Sequence, residues 1–167
     1  MVSRAKLTLL ALVVVCSVSC DQATKALAAT TLGPNLSLSY LGGTVRLWNA
    51  ENPGGFLSIG AELSPLMRAV LFGGVNSLIV IGALLYVIRN HEHMRRLEVI
   101  GFALVLSGAL GNLIDRASLG VVRDFVHIGI GPIRTGIFNV ADVALMLGVA
   151  GMLWAARAPR SRVRAAG

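Results

Sequence analysis

Residues 97–116 read LEVIGFALVLSGALGNLIDR, and this stretch decides the architecture. From Val99 to Ile114 it carries no charged residue. Wound into a helix, such a run approaches the length needed to cross a hydrocarbon core, which takes about 20 residues for roughly 30 Å. Asn112, Asp115 and Arg116 then fall on one face at its far end, because residues three and four apart share a helix face. Ser107 and Gly111, with Gly108 between them, offer a small surface on which another helix can pack closely.

Three further stretches have the same character, so the predicted spans are about 6–27, 66–88, 97–114 and 137–156. Composition agrees with this reading. The 167 residues are 55% hydrophobic and only 14% charged, with mean hydropathy +0.75. Soluble domains carry about 25% charged residues. The expected fold class is therefore an all-α membrane protein, a single domain over 1–158 with a basic tail at 159–167.

The net charge of +7 is a topology signal and does not point to nucleic acid. Arg4, Lys6, Arg89, Arg95, Arg96, Arg157, Arg160, Arg162 and Arg164 all fall on one side of a four-span protein, and they are nine of its 15 basic residues. By the positive-inside rule that side is the cytoplasm, which puts both termini there. Asp21, Glu51, Glu62, Asp115, Asp124 and Asp142, six of the eight acidic residues, fall on the other side. No aromatic or RNA-binding pattern accompanies the basic residues.

The polar residues of the spans gather in that second leaflet. Asp21 and Lys25 stand at i, i+4 near the end of the first span, with the acid first, the favourable order for a pair. Asn139 and Asp142, at i, i+3, open the fourth. Asn76 and Ser77, in the middle of the second span, break the pattern and are expected to form interhelical hydrogen bonds. Asp21 with Lys25, and Asp115 with Arg116, can be neutralising ion pairs. Asp124 and Asp142 lack enough nearby cations for that.

Between the first two spans the rhythm changes. Leu36-Ser37-Leu38-Ser39-Tyr40 alternates, Gly42-Gly43 supplies a turn, and Thr44-Val45-Arg46-Leu47-Trp48 alternates again, the pattern of a β-hairpin. One face carries Leu36, Leu38 and Tyr40. An open sheet edge cannot lie in lipid, so this outer segment, about 34–60, is placed at or above the interface, a level that suits Trp48 and Phe56. Asn52-Pro53-Gly54-Gly55 ends the strand, and the two glycines allow close backbone approach.

Cys16 and Cys20, on one helix, form a poor basis for a disulfide. Ser17-Val18-Ser19-Cys20 after a basic start and an apolar run resembles a lipoprotein signal with Cys20 as the modified residue. The apolar run continues to Ala29, however, which favours a retained first helix. His91 and His93 flank Glu92 without metal-ligand spacing, and no metal or cofactor is expected. His127, near Asp124, reads as a lone interfacial histidine.

Two carboxylates brought together do not readily both ionise, so one holds a proton while the other acts as base. That arrangement suits water activation and protonation of a leaving amine, the chemistry of an aspartic peptidase. No serine lies in a nucleophile motif.

Five ordered motifs carry a family resemblance: Asp21-Gln22-Ala23-Thr24-Lys25, Asn52-Pro53-Gly54, Gly111-Asn112-Leu113-Ile114-Asp115-Arg116, Val122-Arg123-Asp124-Phe125 and Phe138-Asn139-Val140-Ala141-Asp142. In order and spacing the chain resembles the lipoprotein signal peptidase (signal peptidase II) family over nearly its whole length. The resemblance implies four transmembrane helices with a small periplasmic β-cradle, and Asp124 and Asp142 as the catalytic dyad. It also implies that Asp21, Lys25, Asn52, Gly54, Asn112, Arg116 and Asn139 shape and support the site. The implied substrate is a diacylglyceryl-modified prolipoprotein, cut on the N-terminal side of its lipidated cysteine, in the bacterial inner membrane. Membrane lipids are the other expected partner, nucleic acid is not one, and a monomer is expected.

Two departures stand out. The family usually reads Asn-x-Gly-Ala-Ala-Phe after the hairpin, whereas Phe56 here comes one place early. Arg123 replaces a residue that is often apolar, and it is expected either to lower the pKa of Asp124 or to meet headgroups. The competing reading is a non-enzymatic transport or lipid-binding protein whose polar cluster holds a headgroup.

Overall fold

The computed structural model describes residues 2–33, 36–55 and 58–157. Phe56 and the tail at 159–167 lie outside the described residues, as do positions 34 and 35 of the outer segment. Helix α1 spans Val2–Thr31, and strands β1 (Leu38–Tyr40) and β2 (Val45–Asn52) follow. A second apolar rod, Pro65–Asn90, consists of α2 (Pro65–Arg68), a π-helical stretch (Ala69–Val75) and α3 (Asn76–Asn90). Helix α4 (Arg96–Leu119), strands β3 (Val122–Ile130) and β4 (Ile133–Arg134), and helix α5 (Val140–Arg157) complete the chain.

Among the described residues, four helices are long and apolar enough to cross a membrane. Helix α4 is the hub. Half of its most apolar window is buried (50%), against 11% for α1, 11% for the second rod and 22% for α5. The other three therefore present most of their apolar surface outward, including Leu12, Leu78, Met146 and Trp154, as expected where the surroundings are lipid. The interior cluster of Leu10, Val80, Val87, Met94, Val99, Ala103, Leu106 and Ala109 draws on α1, α3, α4 and the turn between α3 and α4.

Helices α4 and α5 meet through small residues. A Cβ added at Gly108 would lie 2.3 Å from Ala141 O, and one at Gly148 would lie 2.7 Å from Gly101 O. Backbone cannot yield at that distance, so glycine is required there. Such small-residue contacts let membrane helices gain van der Waals packing in the absence of a hydrophobic driving force.

The basic ends are tied together. Lys6 Nζ donates to His91 O (3.1 Å) and Glu92 O (2.8 Å), and Arg95 Nη2 donates to Ala155 O. The opposite end carries the sheet, which is larger than the expected two-stranded hairpin. Its order is β1-β2-β3-β4, all antiparallel, with Leu38 opposite Leu47 and Asn52 opposite Val122. The turn between β1 and β2 is a 3₁₀ turn over Leu41–Gly43 rather than Gly42-Gly43 alone, and Leu41 itself has φ +50°. Of the face expected to hold Leu36, Leu38 and Tyr40, only Leu38 packs inward, onto Ala28, Leu32 and Phe125. Leu36 and Tyr40 are exposed.

Register between β2 and β3 shifts by one residue between Leu47 and Ala50, and such a bulge re-aims the side chains beyond it. The residue beyond it on β3 is Asp124, opposite Ala50. Trp48 lies within the bulge and stacks on His127, ring centroids 5.0 Å apart.

Helix α1 extends beyond the expected 6–27 at both ends, and one boundary each of the third and fourth spans moves. Helix α4 runs on to Leu119, where Gly120 (φ +77°) closes it by donating its N–H to Arg116 O. Helix α5 starts at Val140 rather than near 137, because Phe138 pairs with Val126 as an isolated β-bridge. The first helix runs unbroken through Cys20, and the part before it lends Leu10, Val13 and Val14 to the core.

Candidate active site

The amino end of α5 is built by a reciprocal cap. Asn139 Oδ1 accepts from Asp142 N (3.0 Å), and Asp142 Oδ2 accepts from Asn139 N (3.2 Å), the geometry of a capping box. Asn139 and Asp142 are thus partners across a helix start, where sequence spacing had placed them on one face of a longer helix. A third donor there, Ala141 N, is met by Asp21 Oδ1 of α1 at 2.9 Å. The first turn of α5 is consequently fixed by two carboxylates, at the end where unpaired backbone N–H groups favour negative charge.

Asp142 Oδ1 accepts from Asn112 Nδ2 (2.9 Å). Asp124, 3% exposed, accepts from Asn139 Nδ2 (2.6 Å) on Oδ1 and from Asn52 Nδ2 (3.0 Å) on Oδ2. Asn139 therefore touches both aspartates, and Asn112 joins them from the α4 side through its Oδ1 bond from Asn139 Nδ2 at 3.1 Å. Burial pushes the Asp124 carboxyl up to about 6, and the neighbouring Asp142 charge adds to the rise. The hydrogen bonds from Asn52 and Asn139 and the charge of Lys25 oppose it. Arg123 is not among these causes. Its N–H donates to Asp115 Oδ2 (3.0 Å) and its carbonyl accepts from Asn139.

Lys25, 1% exposed, sits beneath this pair. Its Nζ lies 2.9 Å from Asp21 Oδ2 and 3.1 Å from Asp115 Oδ2, and it donates to Asn112 Oδ1 at 3.0 Å. An ammonium has three donors and no acceptor, so it holds the carbonyl side of Asn112 toward itself. That leaves the Asn112 amide to face Asp142. The expected pairing of Asp21 with Lys25 is present, but that of Asp115 with Arg116 is replaced by Asp115 with Lys25. Adjacent helical residues point about 100° apart, so Asp115 turns to α1 while Arg116 turns to Gly54, just past the end of β2.

Arg116 Nη2 donates to Gly54 O (2.9 Å), its guanidinium lies 5.7 Å from the Phe72 ring centroid, and it is within the field of both aspartates. Gly54 N donates to Asn52 Oδ1 (3.0 Å), which closes the turn after β2. A Cβ on Gly54 would come 2.5 Å from Ile59 O. All nine sequence-predicted site residues thus fall in one connected assembly. Sequence reasoning missed Gln22, whose Nε2 joins Asp21, Gly111 O and Asp115, and Phe72, which has no polar signature. Gln22 stands beside Asp21 in the quoted motif, but side-chain reach across helices is not visible in sequence.

The two aspartates line a cleft of about 920 Å³, together with Asn52, Asn112 and Arg116. Its wall is apolar, with Leu71, Val75, Ile79, Leu145, Met146 and Leu147. A carboxyl with a raised pKa next to a second carboxylate, in a cleft flanked by lipid-facing side chains, has the make-up of a membrane aspartic peptidase.

Comparison with known proteins agrees. Residues 12–157 match the family model described as Signal peptidase (SPase) II. The lipoprotein signal peptidase of Desulforapulum autotrophicum is 38% identical over 79% of this chain and 81% of its own length. That of Geobacter sulfurreducens is 36% identical over 83% and 84%. A solved structure described as a bacterial membrane enzyme determined by the in meso method at 1.9 Å superposes with TM-score 0.77 and 28% identity, covering 90% of this chain and 94% of that one. A second, at 2.3 Å, gives TM-score 0.75 and 30% identity over 88% and 86%. The chain belongs to the signal peptidase II family, and with it to the aspartic peptidases that process prolipoproteins.

Proposed function

We propose that Asp124 and Asp142 are the catalytic dyad of this peptidase, with Asp124 carrying the shared proton and Asp142 acting as the base. The observation that carries this reading is the joint hold of Asn139 and Asn112 on the two carboxylates at one cleft. Asp142 takes a proton from water, and the hydroxide adds to the scissile carbonyl. Asp124 gives its proton to the carbonyl oxygen as that oxygen gains charge. Collapse of the tetrahedral species breaks the C–N bond, and the proton now on Asp142 passes to the leaving amine. Asp124 regains its proton from the diol as the carboxylic acid product forms.

Asp21, Lys25, Asn52, Gly54, Asn112, Arg116 and Asn139 support this step without taking part in bond making. Asn112 and Asn139 orient the dyad, Lys25 and Asp21 fix Asn112 and the start of α5, and Arg116 with Gly54 sets the turn beside Asn52. The chain's own residues suffice for the step, so no metal is invoked.

The substrate is a prolipoprotein bearing a diacylglyceryl group on the cysteine after the scissile bond. Leu71, Val75, Ile79, Met146 and Leu147 line the cleft and are also exposed on the outside of the helices. A lipid-anchored chain can therefore enter sideways, and the anchor presents the bond at the depth of the dyad. The sheet end faces the periplasm and the basic end the cytoplasm of the bacterial inner membrane, with the protein acting as a monomer.

Release of signal peptide from a purified precursor in detergent, with and without its lipid, tests the substrate. Equal cleavage of both precursors sinks it. Phosphatase fusions test orientation: activity in the 36–48 segment and none after residue 157 is expected.

A further inference from the structure

Asn76 and Ser77 are neighbours in the middle of the second apolar rod, and the structure treats them differently. Neither forms the interhelical bond expected from sequence. Ser77 Oγ donates to Gly73 O at 2.7 Å, within its own helix. Asn76 has no side-chain hydrogen bond among the described residues. It lines the cleft that holds Asp124 and Asp142.

Its placement there follows from the π-helical stretch Ala69–Val75, which ends immediately before it. One extra residue in a turn rotates everything beyond it by about 100° relative to a regular α-helix. The rotation is pinned upstream. Phe72 lies against Arg116 and against Gly55 and Gly60, so close to these two that a Cβ on either would come 2.9 Å from its ring. Asn76 follows Phe72 one turn along, between the apolar lining residues Val75 and Ile79.

Val75 and Ile79 are 45% and 60% exposed in a rod read as crossing the membrane, so the side chain is flanked by lipid-facing residues and not by bulk water. A carboxamide in hydrocarbon without a partner is costly. Whatever fills the cleft during catalysis must satisfy it. A carboxamide offers two N–H donors and a carbonyl acceptor.

We propose that Asn76 is a substrate-positioning residue whose side-chain amide donates to a carbonyl oxygen of the substrate inside the cleft. This rests on the peptidase reading above. The substrate offers that chemistry in two places. One is the peptide backbone before the scissile bond, which has to leave its helix to be cut and so exposes carbonyls. The other is the acyl ester of the diacylglyceryl group.

The test uses the full-length protein in detergent and a synthetic diacylglyceryl precursor peptide, with kcat and KM measured separately. For Asn76→Leu, KM is expected to rise about three- to tenfold, the equivalent of one net hydrogen bond, while kcat stays within about twofold. Its melting temperature should equal or exceed that of the unchanged protein, because a polar group has been removed from lipid. Asn76→Gln should recover part of the loss in KM. A second precursor with ether-linked chains separates the two sources. Loss of the Asn76→Leu penalty on the ether substrate assigns the ester carbonyl, and an unchanged penalty assigns the peptide. Unaltered KM for Asn76→Leu on both precursors overturns the proposal. So does a rise in KM that Asn76→Gln fails to relieve and that accompanies a lowered melting temperature, since that pattern marks a purely structural role. Failure of the underlying reading looks different, because the unchanged protein would then not cleave the lipidated precursor at all.

Discussion

Removing the Asn52 amide should shift the pH range in which the peptidase works. Asn52 Nδ2 donates to Asp124 Oδ2 at 3.0 Å, and this bond holds the Asp124 carboxyl down against the burial that lifts it to about 6. The donor favours the ionised form, so its loss in Asn52→Ala raises the pKa further. A hydrogen bond to a charged group contributes roughly 1.5–3 kcal/mol, or about one to two pKa units at 1.36 kcal/mol each. Solvent entering the vacated space reduces this, and a shift of about one unit is expected. If Asp124 must be protonated to deliver its proton, activity is retained below its pKa and lost as pH rises through it. The alkaline limb of kcat/KM, near pH 6 for the unchanged protein, should therefore move to about pH 7. The assay is signal-peptide release from a lipidated precursor between pH 4.5 and 8.5. Asn52 also accepts from Gly54 N and donates to Gly55 O, so the maximum rate will fall as well, but a rate loss alone does not move a limb. A limb that stays in place or moves to lower pH refutes the assignment of the acid to Asp124.

Asp124→Asn and Asp142→Asn should each abolish cleavage, and the double variant should be hardly worse than either, because members of one catalytic unit are strongly non-additive; residual turnover near the unchanged rate in either single variant would reject the dyad. Lys25→Met leaves Asp21 and Asp115 buried without their cation, and a loss of about 3–5 kcal/mol is expected, read as a lower melting temperature in detergent. Asp115→Asn should be milder and should act through stability, since Asp21 still faces Lys25 at 2.9 Å. Gly54→Ala forces backbone apart at the Ile59 contact and should cut kcat/KM by at least tenfold with the protein still folded, visible in the same cleavage assay. Chelators should leave the rate unchanged, and a loss restored by zinc would reverse the mechanism.

Hydropathy and charge in the chain determined the four spans, because burial in lipid imposes length and apolarity on each helix independently of its neighbours. The positions of Asp21, Lys25, Asn112, Asn139 and the two aspartates were equally legible, since ionisable and amide groups stand out against an apolar background. What they do to one another was not. Asn139 and Asp142 share a spacing that fits a helix face as well as a cap, and only the β-bridge of Phe138 to Val126 decided for the cap by ending the helix at Val140. Asp115 was paired in sequence with its neighbour Arg116, whereas the approach of α1 to α4 handed it to Lys25. Strand β3 escaped notice because it draws its stability from β2, at least 70 positions away, and β4, two residues long, exists only as the partner of β3. The aim of Asn76 into the cleft likewise depends on a π turn that no composition announces. A single chain position fixes what a side chain can donate or accept, and the packing of distant segments fixes which partner receives it.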